Sequence, residues 1–218
     1  MDLELLTTLA IIHSLALMSP GPDFALTVKI ATQQTRPVAL ATSFGISAGI
    51  FILTSLSLTG VSLVIHSSLV LFTLVQLIGA AYLGWIGSHA LKAAFSSFSA
   101  QRATKKNTIS GQIISPLQGF QQGLLTNLLN PKALIFFITI FSTLITPTVS
   151  LNTQLASVIL LFVLSLLWFS LLSLFLSKAH IQTKLQRMTP LINLLTGMIF
   201  IAIALGIIFE VFHSLLSR

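Results

Sequence analysis

The sequence contains no cysteine and very few charged residues. The absence of cysteine excludes disulfides, thiol redox chemistry and thiolate metal sites. Charged residues make up 7% of the chain, whereas a soluble domain carries about a quarter, and 55% of the residues are hydrophobic. Acidic residues are the scarcest, since Asp23 is the only one between Glu4 and Glu210. This composition predicts a polytopic helical membrane protein.

The sequence also lacks the patterns that would indicate an enzyme or a nucleic-acid-binding protein. It shows no metal-ligand cluster, no glycine-rich phosphate loop and no nucleophile–base arrangement, so we expect no enzymatic activity and no cofactor. The net charge of +7 comes from eleven Lys and Arg residues in short clusters between apolar segments. Such clusters are typical of cytoplasmic membrane loops rather than of a basic groove, so the expected partner is the lipid bilayer and not nucleic acid.

Six apolar segments each approach the ~20 residues that a helix needs to cross ~30 Å of hydrocarbon. They cover about 3–31, 38–65, 69–91, 116–146, 153–177 and 190–212. The sequence therefore predicts an all-α protein with six transmembrane helices.

The positive charges alternate between the connecting loops. The loops after spans two and four hold no Lys or Arg, whereas the loops after spans one, three and five hold all of the following: Lys29, Arg36, Lys92, Arg102, Lys105, Lys106, Lys178, Lys184 and Arg187. Because positively charged loops stay in the cytoplasm, both termini are expected to face outward.

Three spans per half place the two halves of one transporter domain in opposite orientations. The halves cover about 1–95 and 116–218, and a basic cytoplasmic connector covers about 96–115. Span one is interrupted by prolines at 19–23 and span four at 130–133, both near mid-depth. This pattern is typical of the 3+3 inverted repeat of secondary transporters, whose sites lie at broken helices.

Each interruption has the sequence of a new helix start. Pro22 and Pro131 suit a first helical position, and Asn130 suits the cap before it. Asp23 is favourable in a first helical turn, but Lys132 opposes the helix dipole and needs a partner, for which Asp23 is the obvious candidate. Two interpretations remain open: a permanent ion pair that clasps spans one and four, or a pair that opens to accept a zwitterion.

Other polar and aromatic residues carry weaker signals. His13 lies ten residues before Asp23 and could relay a proton together with it, although such a histidine often simply bonds a neighbouring helix. Tyr82 and Trp85 could line a cavity, but a membrane-interface or packing role is the simpler expectation for Trp85. Glycine pairs such as Gly45 and Gly49 indicate close helix packing.

Three motifs together resemble the LysE/RhtB family of bacterial amino-acid exporters, and the threonine and homoserine efflux branch most. They are Ser19-Pro20-Gly21-Pro22-Asp23, Gly79-x-x-Tyr82-Leu83-x-x-x-Gly87, and Gly119-x-x-x-Gly123 continued to Asn127-x-x-Asn130-Pro131-Lys132-Ala133. The resemblance implies export of small neutral amino acids across the bacterial inner membrane, driven by proton antiport. The substrate-binding positions that it implies are Pro20, Gly21, Pro22, Asp23, Asn127, Asn130, Pro131 and Lys132.

The leading hypothesis is therefore an exporter in which Asp23 binds the substrate ammonium group, or a proton on the return stroke. Lys132 and the two helix starts would hold the carboxylate. Two alternatives are efflux of another small solute or ion and a non-transporting membrane subunit. A single carboxylate supplies few ligands for an ion, which weighs against ion efflux. The sequence leaves the oligomeric state open, including a homo-oligomer.

Overall fold

A computed structural model describes residues 1–99, 113–145, 149–176 and 179–216. These residues form helices and their connections, without any strand, so the fold is all-α as predicted. The helices are α1 (Leu3–Met18), α2 (Pro22–Gln33), α3 (Arg36–Ser67), α4 (Leu69–Ser99), α5 (Pro116–Leu128), α6 (Pro131–Leu144), α7 (Leu151–Phe175) and α8 (Ala179–Leu216).

The helices are long and apolar enough for a multi-pass membrane protein. Four of them, α3, α4, α7 and α8, each contain an apolar stretch that could cross a bilayer. The pairs α1–α2 and α5–α6 are each bent at a short break, by 58° and 56°, so the described chain has up to six spans. The similar bends agree with the predicted breaks in spans one and four, while the inverted repeat and the depth of the breaks stay predictions.

Local chemistry explains why the chain breaks where it does. Helix α1 ends at Met18, and its C-cap, Ser19, has an extended backbone. Helix α2 begins with Pro22 in its first position after Gly21. At the second break Asn130 caps α6, because its side-chain oxygen accepts the backbone N–H of Lys132 at 3.0 Å. Proline lacks an N–H and so fits a helix start, where that donor would have no helical partner.

Glycines let the helices cross closely, as the sequence predicts. A Cβ at Gly45 of α3 would collide with the carbonyl oxygen of Phe120 in α5. Gly87 of α4 and Gly197 of α8 face each other, and a Cβ on either would come within 2.9 Å of the other's carbonyl oxygen. Contacts this close leave no room for any larger residue, so these glycines are packing positions.

Two helices extend beyond the predicted membrane spans, and part of one predicted segment is not described. Helix α8 begins at Ala179 and continues through Pro190, which was expected to start the sixth span. Helix α4 continues to Ser99, beyond the expected end of span three. The apolar part of α8 begins only at Met188, so hydropathy marks the membrane segment while the helix itself is longer. Residues 100–112 of the predicted connector lie outside the described residues.

Candidate functional site

The two helix breaks lie against each other, and the carboxylate of Asp23 is held across them. Its Oδ2 atom accepts a hydrogen bond from Nδ2 of Asn127 at 2.9 Å and another from Nδ2 of Asn130 at 3.0 Å. Asp23 lies in the first turn of α2, whereas Asn127 lies in the last turn of α5 and Asn130 caps α6. The two amides therefore fix the position of one oxygen of this carboxylate.

The ammonium group of Lys132 is held by the opposite break. Its Nζ donates to Oγ of Ser19 at 2.8 Å and lies 3.4 Å from the carbonyl oxygen of the same residue. Because Ser19 is the C-terminal cap of α1, the cation lies at the negative end of a helix dipole. This position supplies the favourable environment that Lys132 lacks at the start of its own helix.

The predicted direct pairing of Asp23 with Lys132 is not present. Both residues lie in the described part of the chain, and within it neither a hydrogen bond nor a salt bridge joins them. The two charges are therefore not in direct contact, and the choice between a clasp and a pair that opens for a substrate stays a prediction. Uncharged groups of the facing break, two amides and a serine, hold the two charges instead.

A buried histidine lies beside this centre. His13 of α1 is 2% exposed, and its Nε2 atom lies 2.8 Å from Oγ of Ser165 in α7. The centres of the Phe136 and Phe137 rings lie 6.4 and 5.7 Å from the imidazole centre. The Nδ1 atom of His13 has no hydrogen-bond partner, and neither has Oδ1 of Asp23.

Two cavities adjoin at the breaks and share four lining residues. The smaller has a volume of about 50 Å³ and is lined by His13, Asp23 and Asn127 together with apolar side chains that include Phe136 and Phe137. The larger, of about 390 Å³, extends along α4 between Tyr82 and Ala93. The residues that line both cavities are Ser19, Gly21, Asn130 and Lys132. The Lys132–Ser19 contact is therefore part of the partition between the two cavities.

Comparison with known proteins identifies the family of this chain. The profile of the LysE type translocator family matches residues 14–210, a stretch that includes both breaks. The chain belongs to the LysE family. No solved structure matches it with statistical significance.

Several relatives of this LysE-family chain are efflux proteins. It is 30% identical over 211 residues to the threonine efflux protein of Escherichia coli (strain K12), a match that covers 94% of this chain and 98% of the relative. The threonine efflux protein of Salmonella typhi is 29% identical over 206 residues, with the same coverage. The leucine efflux protein of Salmonella choleraesuis (strain SC-B67) is 30% identical over 190 residues, or 85% of each chain.

The predicted substrate-binding and proton-relay positions all line one or both of these cavities. His13, Asp23 and Asn127 line the smaller one, and Pro20, Pro22 and Pro131 line the larger one. Gly21, Asn130 and Lys132 line both. Their role in binding substrate stays a prediction. In the described part of this LysE-family chain, no three His, Cys, Asp or Glu side chains come together in a metal-binding group.

Sequence reasoning missed several residues of the site. Ser19 is part of the first motif but was not assigned a role, although it holds Lys132. His89 and Asn193 line the larger cavity beside Tyr82 and Trp85, where the Tyr82 and Trp85 rings stack with centres 5.7 Å apart. The helical spacing of Tyr82, Trp85 and His89 was a usable signal, because residues three or four apart share one helix face.

Proposed function

We propose that this protein exports small neutral amino acids, of the threonine and homoserine type, from the cytoplasm across the bacterial inner membrane. The observation that carries the proposal is the pair of opposite charges, Asp23 and Lys132, held separately at the wall between two cavities. Two separated charges of opposite sign suit a zwitterion. The efflux relatives and membership of the LysE family support the same assignment.

In this proposal Asp23 receives the ammonium group of the substrate. Its Oδ1 atom has no hydrogen-bond partner, while Oδ2 is held by two amides, so one oxygen remains available without disturbing the other. A buried carboxylate oxygen without a partner is unfavourable, and a charged donor that reached it would relieve that cost.

Lys132 and the start of α2 receive the carboxylate. Helix α2 has no side-chain cap, because its N-cap residue is Gly21, so its first backbone N–H groups keep no helical or side-chain partner. Helix α6, in contrast, is capped by Asn130. The uncapped start and the nearby Lys132 cation together make an environment for an anion.

The larger cavity supplies the route to this centre. It is lined from Tyr82 to Ala93, about 16 Å of helix α4 at 1.5 Å per residue, on the side that the charge pattern predicts to be cytoplasmic. A substrate carboxylate arriving there would compete with Ser19 for Lys132 and so open the partition. For proton antiport, Asp23 would carry a proton on the return stroke, and His13 is a second candidate for the relay.

The test is efflux from liposomes that contain the purified protein and a panel of labelled amino acids, with and without a pH gradient. We expect threonine-like substrates to leave, and to leave faster with the gradient. Asp23→Asn should abolish this efflux, because it keeps the size of the side chain and removes its charge. The matched control is Glu210→Gln, which removes a carboxylate from an exposed position of α8.

The outcomes separate the competing hypotheses. Full export by the Asp23→Asn protein would remove Asp23 from the mechanism. Retention of every amino acid by the natural protein would refute the exporter and favour the non-transporting subunit. An equal rate of efflux with and without the pH gradient would refute proton antiport and would leave the proposal of amino-acid export intact.

A further inference from the structure

Three hydrogen-bond acceptors without partners belong to residues that line the smaller cavity. They are Oδ1 of Asp23, Oδ1 of Asn127 and Nδ1 of His13, and all three atoms are buried. Asn127 and His13 are themselves 0% and 2% exposed. Buried polar atoms are nearly always satisfied in folded proteins, so three of them around one cavity need an explanation.

The amide of Asn127 is oriented by its contact with Asp23. Its NH2 group donates to Oδ2 of Asp23, so the atom that remains is the acceptor oxygen. Gly49 of α3 leaves space beside this oxygen, since a Cβ at that position would come within 2.7 Å of it.

The tautomer of His13 follows from its contact with Ser165. The Ser165 hydroxyl lies 2.6 Å from the carbonyl oxygen of Leu161, to which it donates its proton. Its oxygen therefore accepts from His13, so Nε2 of the neutral ring carries the hydrogen and Nδ1 presents a lone pair. Three buried acceptor atoms thus belong to residues that line the cavity, and one of them is a carboxylate oxygen.

We propose that the smaller cavity is a subsite for a primary ammonium group, whose three N–H donors pair with Asp23, Asn127 and His13. This inference rests on the proposed function and specifies the class of amine that it accepts. Space of about 50 Å³ exceeds the ~10–15 Å³ that one water needs and suits a group of ammonium size. Phe136 and Phe137 supply an apolar wall and aromatic rings for a cation.

The subsite determines how many N–H donors the amine of the substrate must carry. Each N-methyl group removes one donor, leaves one buried acceptor without a partner and adds volume to a small cavity. A site built to bond an N–H group discriminates strongly against an analogue that lacks it, so an N-methyl amino acid should be exported on the order of a hundredfold less efficiently. His13 acts here as a neutral acceptor, which differs from a proton relay.

The first experiment measures binding without transport, through the thermal unfolding of the purified protein in detergent. Methylammonium chloride should raise the melting temperature, because a ligand of the folded state stabilises it. Tetramethylammonium chloride, which has no N–H donor, and sodium chloride at the same concentration should not. An equal shift from all three salts, or a shift from sodium alone, would overturn the proposal.

The second experiment compares the efflux of L-threonine and N-methyl-L-threonine from liposomes that contain the protein. Preference for threonine is expected, and equal efflux of both would overturn the subsite while leaving the exporter intact. If neither amino acid were exported and methylammonium still stabilised the protein selectively, the exporter would fail and the ammonium subsite would stand. The natural protein alone therefore decides the question.

Variants at His13 then test its role. His13→Leu removes the acceptor and should weaken methylammonium binding about tenfold, the effect of one hydrogen bond to a charged group. His13→Gln keeps an acceptor and cannot titrate, so it should retain the preference for threonine. Loss of the preference in His13→Gln, with folding intact, would assign His13 a different function. Thr196→Val is the matched control, since Thr196 is a fully buried polar residue that lines neither cavity.

Discussion

Replacing Ser19 with alanine should open the partition between the two cavities. In the structure the Lys132 ammonium donates to the Ser19 hydroxyl at 2.8 Å, and the carbonyl oxygen of the same residue lies farther away, at 3.4 Å. The substitution removes the shorter contact and leaves only the longer one. Lys132 is then weakly held, because only the longer contact still links α6 to the end of α1.

The size of the effect follows from the type of bond. A hydrogen bond that involves a charged group contributes about 1.5–3 kcal/mol, so its loss should change the ratio of closed to open molecules about ten- to a hundredfold. Water that replaces the hydroxyl would bring the result toward the lower end of this range. An increase of about tenfold in the open population is therefore the expected minimum.

Thiol labelling can measure this change directly, because the natural chain contains no cysteine. Ala16→Cys reports on the smaller cavity and Ala93→Cys on the larger one. In the Ser19→Ala background, a membrane-impermeant reagent added on the side of the larger cavity should label Ala16→Cys about ten times faster. The labelling rate of Ala93→Cys should not change. Ser47→Ala is the matched control, since it removes a buried hydroxyl whose bond stays within its own helix.

Unchanged labelling of Ala16→Cys in Ser19→Ala, with Ser47→Ala also unchanged, would refute the role of this contact in closing the partition. Faster labelling in both variants would show a general loosening of the helices and would equally contradict the specific effect. Thermal unfolding of each variant separates either case from loss of the fold.

Two further substitutions test the network around Asp23. Gly49→Ala should lower efflux strongly, because its Cβ would come within 2.7 Å of the Asn127 side-chain oxygen and displace that amide. The control Gly60→Ala, with open space around it, should export normally. Equal export by both variants would contradict a role for the position of the Asn127 amide. Asn130→Ala removes both the cap of α6 and one hydrogen-bond donor to Asp23. Thermal unfolding should show that the free energy of unfolding falls by about 1–3 kcal/mol. An unchanged melting temperature would show that neither contact stabilises the fold.

The helix breaks could be predicted from the sequence because their causes are local. Proline at a first helical position and asparagine at a cap act within one turn, and the structure has both at Asn130 and Pro131. Close helix packing at glycines could likewise be predicted, since small residues at helical spacing permit close packing whichever helix lies opposite. Hydropathy gave the number of apolar segments but not the helix ends, because α8 extends into polar residues before Pro190.

The partners of the charged residues could not be predicted, because they depend on how distant segments meet. Charge alone favoured a contact between Asp23 and Lys132, yet each is held by uncharged groups more than a hundred residues away in the sequence. The contact between His13 and Ser165 joins residues 152 positions apart and has no local signature. The motif that contains Asn127 and Asn130 did not indicate that both amides would hold one carboxylate oxygen.

The crossed arrangement of contacts is the physical reason for proposing a zwitterion as the substrate. Asp23 of the first break is held by amides of the second, and Lys132 of the second break is held by Ser19 of the first. Separating the breaks costs the two amide hydrogen bonds to Asp23 and the bond from Lys132 to Ser19, about 1.5–3 kcal/mol each. A cation alone offsets only the loss at Asp23, and an anion alone only the loss at Lys132. An amino acid carries both charges a few bonds apart and can offset the losses at Asp23 and at Lys132 together. It therefore stabilises the separated arrangement more than a solute with one charge. A simple amine or a simple carboxylate should therefore bind without being exported efficiently.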